Sequence, residues 1–360
     1  MPDRWTLAEA DLLPLSLGAA LLGTGGGGNP YVGMLRARQL VRGGAVLEVL
    51  PLDLLADDAW VGEVGGIGAP VVGIEKIEEG GECLRALRAT EEASARPVSA
   101  LISAEIGGAN AIEPLIVAAQ AGLPVVDGDG MGRAFPEVQM STFMIYGADP
   151  SPAAIADDKG NVVVLRHMRD ARWLERFARD AAVAMGATAG FATAPMRGDF
   201  VRRAAVPGTV GQALAIGRAI LDARARRRDV VDRVCRDTGA RVLFAGKLVD
   251  VARRLEGGFA RGHALVSGSS DWAGRQARVA IQNEFLVLWI DGAVVATVPD
   301  LIMIVEEETG EPITTEVLRY GQRVVVLGLP AHPLLRSPEA MAVIGPAAFG
   351  YPDIPFTPVA

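Results

Sequence analysis

The chain has 360 residues, half of them apolar and 22% charged, with a formal net charge of −8 at pH 7. That length exceeds one ordinary core and that composition excludes a disordered chain, so two globular domains are expected. The acidic balance opposes a phosphate backbone and argues against nucleic acid as partner, while two cysteines, Cys83 and Cys235, give no disulfide framework and fit a reducing, cytoplasmic setting.

The first residues lack a basic segment followed by an apolar one, so no signal peptide is expected. The longest uncharged run, Leu12 to Leu35, holds Pro14, Pro30 and seven glycines and makes a poor membrane helix. Thr6 and Glu9 have capping-box spacing, which predicts a helix opening at Leu7, broken or restarted at Pro14 and ending at Leu22-Gly23. Pro30 to Val41 reads as a second helix. Ala45 to Leu50, Val61 to Val64, Pro70 to Ile74, Val98 to Ser103, Val125-Val126, Thr142 to Tyr146 and Val162 to Leu165 read as strands. Gly81 to Ala93 and Ala109 to Ala121 read as helices between them. Such alternation predicts a largely parallel sheet covered on both faces, a three-layer α/β/α domain.

After Arg166 the texture changes. Ala171 to Met185 and Thr209 to Arg228 are helical by periodicity, the second ending in a basic run, Arg224 and Arg226 to Arg228, that reads as a solvated face. From Ala240 to Leu329 short strands follow one another, with a hairpin signal at Asp291-Gly292. No parallel crossover fits between them, so this half is expected to be mainly antiparallel and barrel-like. The domain boundary is placed near 168, giving units 1–168 and 169–360.

The most informative stretch is Gly23-Thr24-Gly25-Gly26-Gly27-Gly28-Asn29-Pro30. Five glycines in six positions are costly unless the backbone needs positive φ or close approach. Asn29 is a good cap and Pro30 suits the first helical position, so the turn delivers onto a helix N-terminus. Free N–H groups there suit an anion or an oxygen gaining charge, which makes Thr24, Gly25, Gly26, Gly27, Gly28 and Asn29 candidate ligand contacts. A tight packing turn is the plain alternative. Gly23, Gly25 and Gly28 also satisfy G-x-G-x-x-G, but the segment before them reads as helix where a dinucleotide fold needs a strand.

Open α/β sheets bind ligands beyond the carboxyl ends of their strands. Polar groups expected there are Glu75-Lys76, Glu105 with Asn110, and Asp127-Gly128-Asp129-Gly130. Two close carboxylates make an acid/base pair or a metal seat, or merely shape a loop with Asx turns. His167, His263 and His332 show no zinc spacing, and no nucleophile elbow or Walker loop is present; cofactor and metal are left open.

Leu22 to Gly28, Glu75-Lys76, Glu105 to Asn110 and Asp127 to Glu137, with Gly257-Gly258-Phe259, Gln282-Asn283-Glu284, Pro299 to Ile302, Arg319-Tyr320-Gly321 and Gly345-Pro346, resemble the DUF917 family, described as S-methyl thiohydantoin desulfurase-like. The resemblance covers nearly the whole chain. It implies an α/β domain followed by a β-barrel-like domain, and a hydrolase that removes methanethiol from an S-methylated thiohydantoin to leave a hydantoin. It also implies a neighbourhood of hydantoinase or oxoprolinase enzymes, but carries no catalytic residue across. On chemical grounds Asp127, Asp129 and Glu105 are the candidate bases, the glycine turn the candidate anion site, and Asn110 and Asn283 candidate readers of ring amides. Glu284 and Asp300 are possible contributions from the second domain. Two other readings stand beside this one: a non-catalytic partner of a hydantoinase-type enzyme, and a dinucleotide-dependent oxidoreductase. A homo-oligomer is compatible with each.

Overall fold

The computed structural model describes residues 3–69, 72, 76, 78–256 and 259–359. The first part of the chain supplies β1 (Trp5–Leu7), α1 (Glu9–Leu22), α2 (Tyr31–Arg42), β2 (Leu47–Pro51), β3 (Trp60–Gly68), α3 (Glu82–Ser94), β4 (Ala100–Ser103), α4 (Glu113–Ala121), β5 (Val125–Asp129), α5 (Thr142–Ile145), β6 (Ala153–Ala156) and β7 (Val162–Leu165). It continues with α6 (Ala171–Ala184), β8 (Thr188–Ala192), β9 (Met196–Arg197), α7 (Gly198–Ala204), β10 (Val206–Pro207), α8 (Thr209–Ala225) and α9 (Val230–Thr238). These strands form one sheet in the order β1-β2-β5-β4-β3-β8-β6-β7, with β10 added to β5 and β9 to β3.

Alternation along the strands builds the layers. Val49, Leu101 and Val125 point to one face, where they pack with Leu15 and Leu22 of α1, Leu115 of α4 and Leu214 of α8. Their neighbours Leu50, Ile102 and Val126 point to the other, against Phe143, Val201 and Ala204 of α5 and α7. Further along that sheet Ile67, Ile155 and Phe191 meet Leu174, Ala178 and Ala182 of α6. Each large apolar side chain so buried contributes about 1.5–3 kcal/mol.

The sheet is mixed. β2, β5, β4 and β3 are parallel neighbours, but β1, β8, β6 and β7 join antiparallel. β6 and β7 form a hairpin whose turn is tied by Asp157, which accepts N–H bonds from Lys159 and Asn161; so short a link leaves no room for a parallel crossover. Strands beyond position 168, β8 to β10, belong to this sheet, and the change to the second sheet comes at Arg241.

The second sheet holds β11 (Arg241–Glu256), β12 (Phe259–Gly268), β13 (Gln276–Gln282), β14 (Glu284–Ile290), β15 (Ala293–Thr297), β16 (Leu301–Glu306) and β17 (Arg323–Leu329), followed by α10 (Pro338–Ile344). Its order is β15-β14-β13-β12-β11-β17-β16, antiparallel throughout, and it curls into a half-barrel. Asp291 and Gly292 both take positive φ, as the β14–β15 turn requires. Val287, Met303 and Leu327 share the core of α1 and α8, so the two sheets are joined by common packing.

Several local expectations are corrected. Thr6 lies in β1; the helix starts at Glu9, where Asp11 accepts the Ala8 N–H at 2.9 Å. α1 runs through Pro14, because tertiary burial on both sides outweighs one missing N–H. Thr142 to Tyr146 is helical, not a strand, with Ser141 as its cap. Of Pro70 to Ile74 only position 72 is described, so that expected strand lies outside the described residues, as does Glu75.

Candidate functional site

A cleft of about 320 Å³ opens at the carboxyl ends of β3, β4 and β5. The glycine turn forms part of its floor. The helix α2 begins at Tyr31 with Pro30, not Asn29, in the cap position; Asn29, one residue earlier, accepts the Tyr31 N–H at 2.9 Å. Gly27, Gly28 and Asn29 line the cleft, whereas Thr24, Gly25 and Gly26 are not among its lining residues. These three are taken up by packing between the sheets: the Thr24 carbonyl accepts the Phe285 N–H and the Gly25 carbonyl accepts the Thr315 N–H. Glycine is needed at two positions in particular. A Cβ on Gly26 would lie 2.0 Å from Glu284 Oε1, and one on Gly27, at φ +73°, would lie 2.3 Å from the Gly107 carbonyl oxygen. The turn thus makes close backbone approach to both a β4 loop and a carboxyl group.

Three buried carboxyls from three segments converge here: Glu63 on β3, Glu105 after β4 and Glu284 at the start of β14. Glu105 is held by Asn110, whose Nδ2 donates to Oε1 at 2.8 Å, and by the Phe135 N–H at 3.2 Å. Burial pushes its carboxyl up to about 8 against those bonds, with the Asp129 charge adding to the rise. Asn110 also clamps Gly66 of β3, accepting its N–H at 2.7 Å and donating to its carbonyl at 3.2 Å. Its amide is therefore engaged within the protein, as a strut between β3 and Glu105.

Glu63 accepts the Thr193 hydroxyl at 2.6 Å, and burial holds its carboxyl up at about 7. Glu284 is 2% exposed and its Oε2 has no hydrogen-bond partner. Burial first, and then the Glu105 charge, drive it well above the usual carboxylate range; Arg133 opposes them. Arg133 is wholly buried beside these acids, yet it spends its N–H groups on the carbonyls of Ala134, Pro299, Asp300 and Phe285 and on the Thr24 hydroxyl. It braces the two halves of the chain without pairing directly to a carboxylate.

The cations at the cleft wall are also committed. Lys76 meets Asp158 at 2.7 Å and the Met185 and Thr188 carbonyls. Arg179 pairs with Glu175 and stacks 5.0 Å from the centre of the Phe259 ring, which brings the β12 start to the cleft. Asn283 sits at the lining with φ +57°, a turn conformation fixed by the Ala260 N–H bound to its Oδ1 at 2.9 Å.

The residues most conspicuous in sequence lie elsewhere. Asp127 turns to the N-terminus of α8, accepting the Val210 and Gly211 N–H groups at 2.9 and 3.1 Å. Asp129 lies beneath the cleft floor, where Oδ2 accepts the N–H groups of Ile106, Met131 and Gly132. Neither lines the cleft; β5 continues through both, so its pleat aims them at backbone. Asp300 is buried under Arg336, 2.6 Å away. His263 pairs with Asp250 on the second sheet and His332 caps a short turn. Cys83 is buried and donates to the Gly65 carbonyl. Glu63 carried no sequence signal, being one charged letter inside a strand, and Arg133 stood only as one letter of the Asp127 to Glu137 block, with no role of its own. Among the described residues, no group of three or more His, Cys, Asp or Glu side chains could hold a metal ion, and no helix is long and apolar enough to cross a membrane.

The fold is similar to that of a crystal structure of a protein from Chromobacterium violaceum, a structural genomics target, at 26% identity and a TM-score of 0.83, covering 99% of this chain and 100% of that one. Among curated proteins none matches. Family models described as the S-Me-THD-like N-terminal domain and the S-Me-THD-like C-terminal domain match residues 10–167 and 169–359, and the chain belongs to the S-Me-THD-like family.

Proposed function

We propose that the protein is a hydrolase of a small hydantoin-like ring, converting an S-methyl thiohydantoin and water to the hydantoin and methanethiol. The observation that carries this reading is the pair Glu105 and Glu284, two buried carboxyls in one cleft with unlike surroundings. Glu105 accepts two N–H bonds, which favour its ionised form; Glu284 has an unpartnered oxygen and a charged neighbour, which favour its neutral form. Groups whose environments separate them in this way serve as base and acid.

Glu105 takes a proton from water as the oxygen bonds to the ring carbon that bears the thioether. The C=N electron pair moves to nitrogen, which takes the Glu284 proton. The C–S bond then breaks, methanethiolate leaves with the proton held by Glu105, and the new hydroxyl returns its proton to Glu284. Both carboxyls end as they began. The Tyr31 N–H is taken by Asn29, and the next N–H groups of α2 belong to Val32 and Gly33, which also line the cleft and favour a developing oxyanion.

A non-catalytic partner role predicts no coupled acid/base groups in a cleft, and the Glu105–Glu284 pair speaks against it. The helix α1 before the glycine turn speaks against a dinucleotide site, which needs a strand there. The deciding experiment measures methanethiol release from an S-methyl thiohydantoin with a thiol reagent. Wild type is expected to release it, with Glu105→Gln and Glu284→Gln each slower; no release from wild type rejects the proposal.

A further inference from the structure

The carboxyls of the cleft outnumber the buried cation beside them, Arg133. Glu284 approaches Gly26 from the second sheet, fully buried, with Oε2 unpartnered. The charged groups acting on it are Glu105, Arg133 and Glu316. Arg133 gives its N–H groups to carbonyls and Thr24, as described. Glu316 adds negative charge, and on the far side of Glu105 lies Asp129. Glu63, across the cleft, receives only the Thr193 hydroxyl. Lys76 and Arg179 are paired with Asp158 and Glu175, and Arg36, behind the wall, with Glu113 at 2.6 Å and with Glu78. Buried carboxyls that share too little counter-charge keep a proton; a ligand that brings the missing charge displaces it.

We infer that the cleft takes its ligand as an amidinium-type cation, an N–C–N edge with both nitrogens protonated, seated against Glu105 and Glu284. This deepens the desulfurase reading and rests on it for the substrate: the N–C(SCH₃)–N unit of an S-methyl thiohydantoin is such an edge once its imine nitrogen is protonated. For that neutral substrate the proton is the one that Glu284 gives the ring nitrogen in the proposed reaction, here passed on binding, ahead of the attack by water. The ring carbon is then more electrophilic before water attacks, and the carboxylate–amidinium contact is a charge-assisted, two-point one. Neutral and anionic ring analogues of the same shape lack the N–H pair or the charge, and the same carboxyls disfavour them.

The test uses cations that arrive already protonated. S-methylisothiouronium and acetamidinium, with urea as the neutral control, are titrated into the full chain by calorimetry at about pH 6, 7 and 8, in buffers of different ionisation heat. The expected result is binding of both cations and not of urea. Affinity should rise about tenfold per pH unit while the carboxyl is protonated, with about one proton released per ligand. Glu284→Gln, which replaces a neutral acid by a neutral amide and is checked by its melting curve, should bind at least about tenfold more weakly than wild type at each pH, keeping only the pH dependence that Glu105 supplies. Binding of urea as tight as the cations, pH-independent affinity, or no proton release in wild type would overturn the inference without recourse to any variant. Methanethiol release without cation binding overturns this inference and leaves the desulfurase reading standing; cation binding with proton release and no methanethiol supports the inference and removes that reading.

Discussion

The acids at the end of β5 and the acids facing the cleft differ in what the backbone offers them. Asp127 and Asp129 together accept five N–H bonds, two from the start of α8 and three from the loops after β4 and β5. Glu284 has an oxygen with no partner, and Glu63 receives a single hydroxyl. The donors on Asp127 and Asp129 hold both side chains against backbone and away from the cleft, although burial still lifts Asp129 to about 7 and leaves its Oδ1 without a partner. The cleft acids are raised by burial too, but they line open space, where a proton can be given to or taken from a ligand. A paired-acid motif in sequence is therefore a weaker guide to reactivity than which acids line the cleft.

The largest effect that separates the two groups is on rate. Glu105→Gln and Glu284→Gln are each expected to lower the rate of methanethiol release by about 10²–10⁴, with little change in melting temperature. In wild type kcat/KM should climb with pH and level off near the value of about 8 to which burial raises Glu105, because the base must be ionised. A flat profile, or full activity in both variants, would erase the contrast drawn above.

Asp129→Ala is the converse experiment, read by denaturant melts. It strands the buried N–H groups of Ile106 and Met131, each costing about 1–3 kcal/mol, and the half-buried one of Gly132, which water can partly satisfy. A loss of about 3–5 kcal/mol is expected, enough to threaten folding of an ordinary domain. If the variant melts like wild type, Asp129 is not the anchor its bonds imply.

Particular residues show what the sequence could carry. The antiparallel second half was legible because Asp291-Gly292 and closely spaced strands leave one pairing geometry. The mixed character of the first sheet was not, because β8 enters between β3 and β6 from 120 or more residues downstream of β3, a non-local pairing that leaves no local mark. The glycine turn was legible as a place of close approach. What approaches it, Glu284 and Gly107, depends on contacts between distant segments. Glu105 was visible as a polar residue after a strand, whereas Glu63 sits within one, among glycines and apolar residues, and only burial reveals its altered acidity.

Glu63 offers a pH test that needs no substrate. Its carboxyl titrates near 7 in the folded chain and near 4.5 when exposed. Between those values the folded state binds more protons than the unfolded, so stability from this group is complete below about pH 4.5 and falls as pH rises through 7. Measured by denaturant melts at the two ends of that window, wild type should lose on the order of 2 kcal/mol relative to Glu63→Gln. Equal pH dependence in the two proteins would mean that Glu63 is better solvated or better paired than its surroundings indicate.

The smallest effect is the sharpest check on the opening contrast, because it concerns the acid that sequence alone makes most conspicuous. Asp127 accepts two N–H groups from the first turn of α8, and its second oxygen lies near Gly211, where a Cβ would come within 3.2 Å of it. Nothing in that geometry faces the cleft. Asp127→Ala removes a helix cap, and such a loss costs about 1 kcal/mol. Asp127→Asn keeps an acceptor oxygen and should recover most of it. Methanethiol release per folded molecule should match wild type in both variants, at a pH where Glu105 is ionised. If instead Asp127→Asn melts like wild type but loses rate by tenfold or more, the β5 acid reaches the chemistry through α8, and lining the cleft is not what separates the two groups.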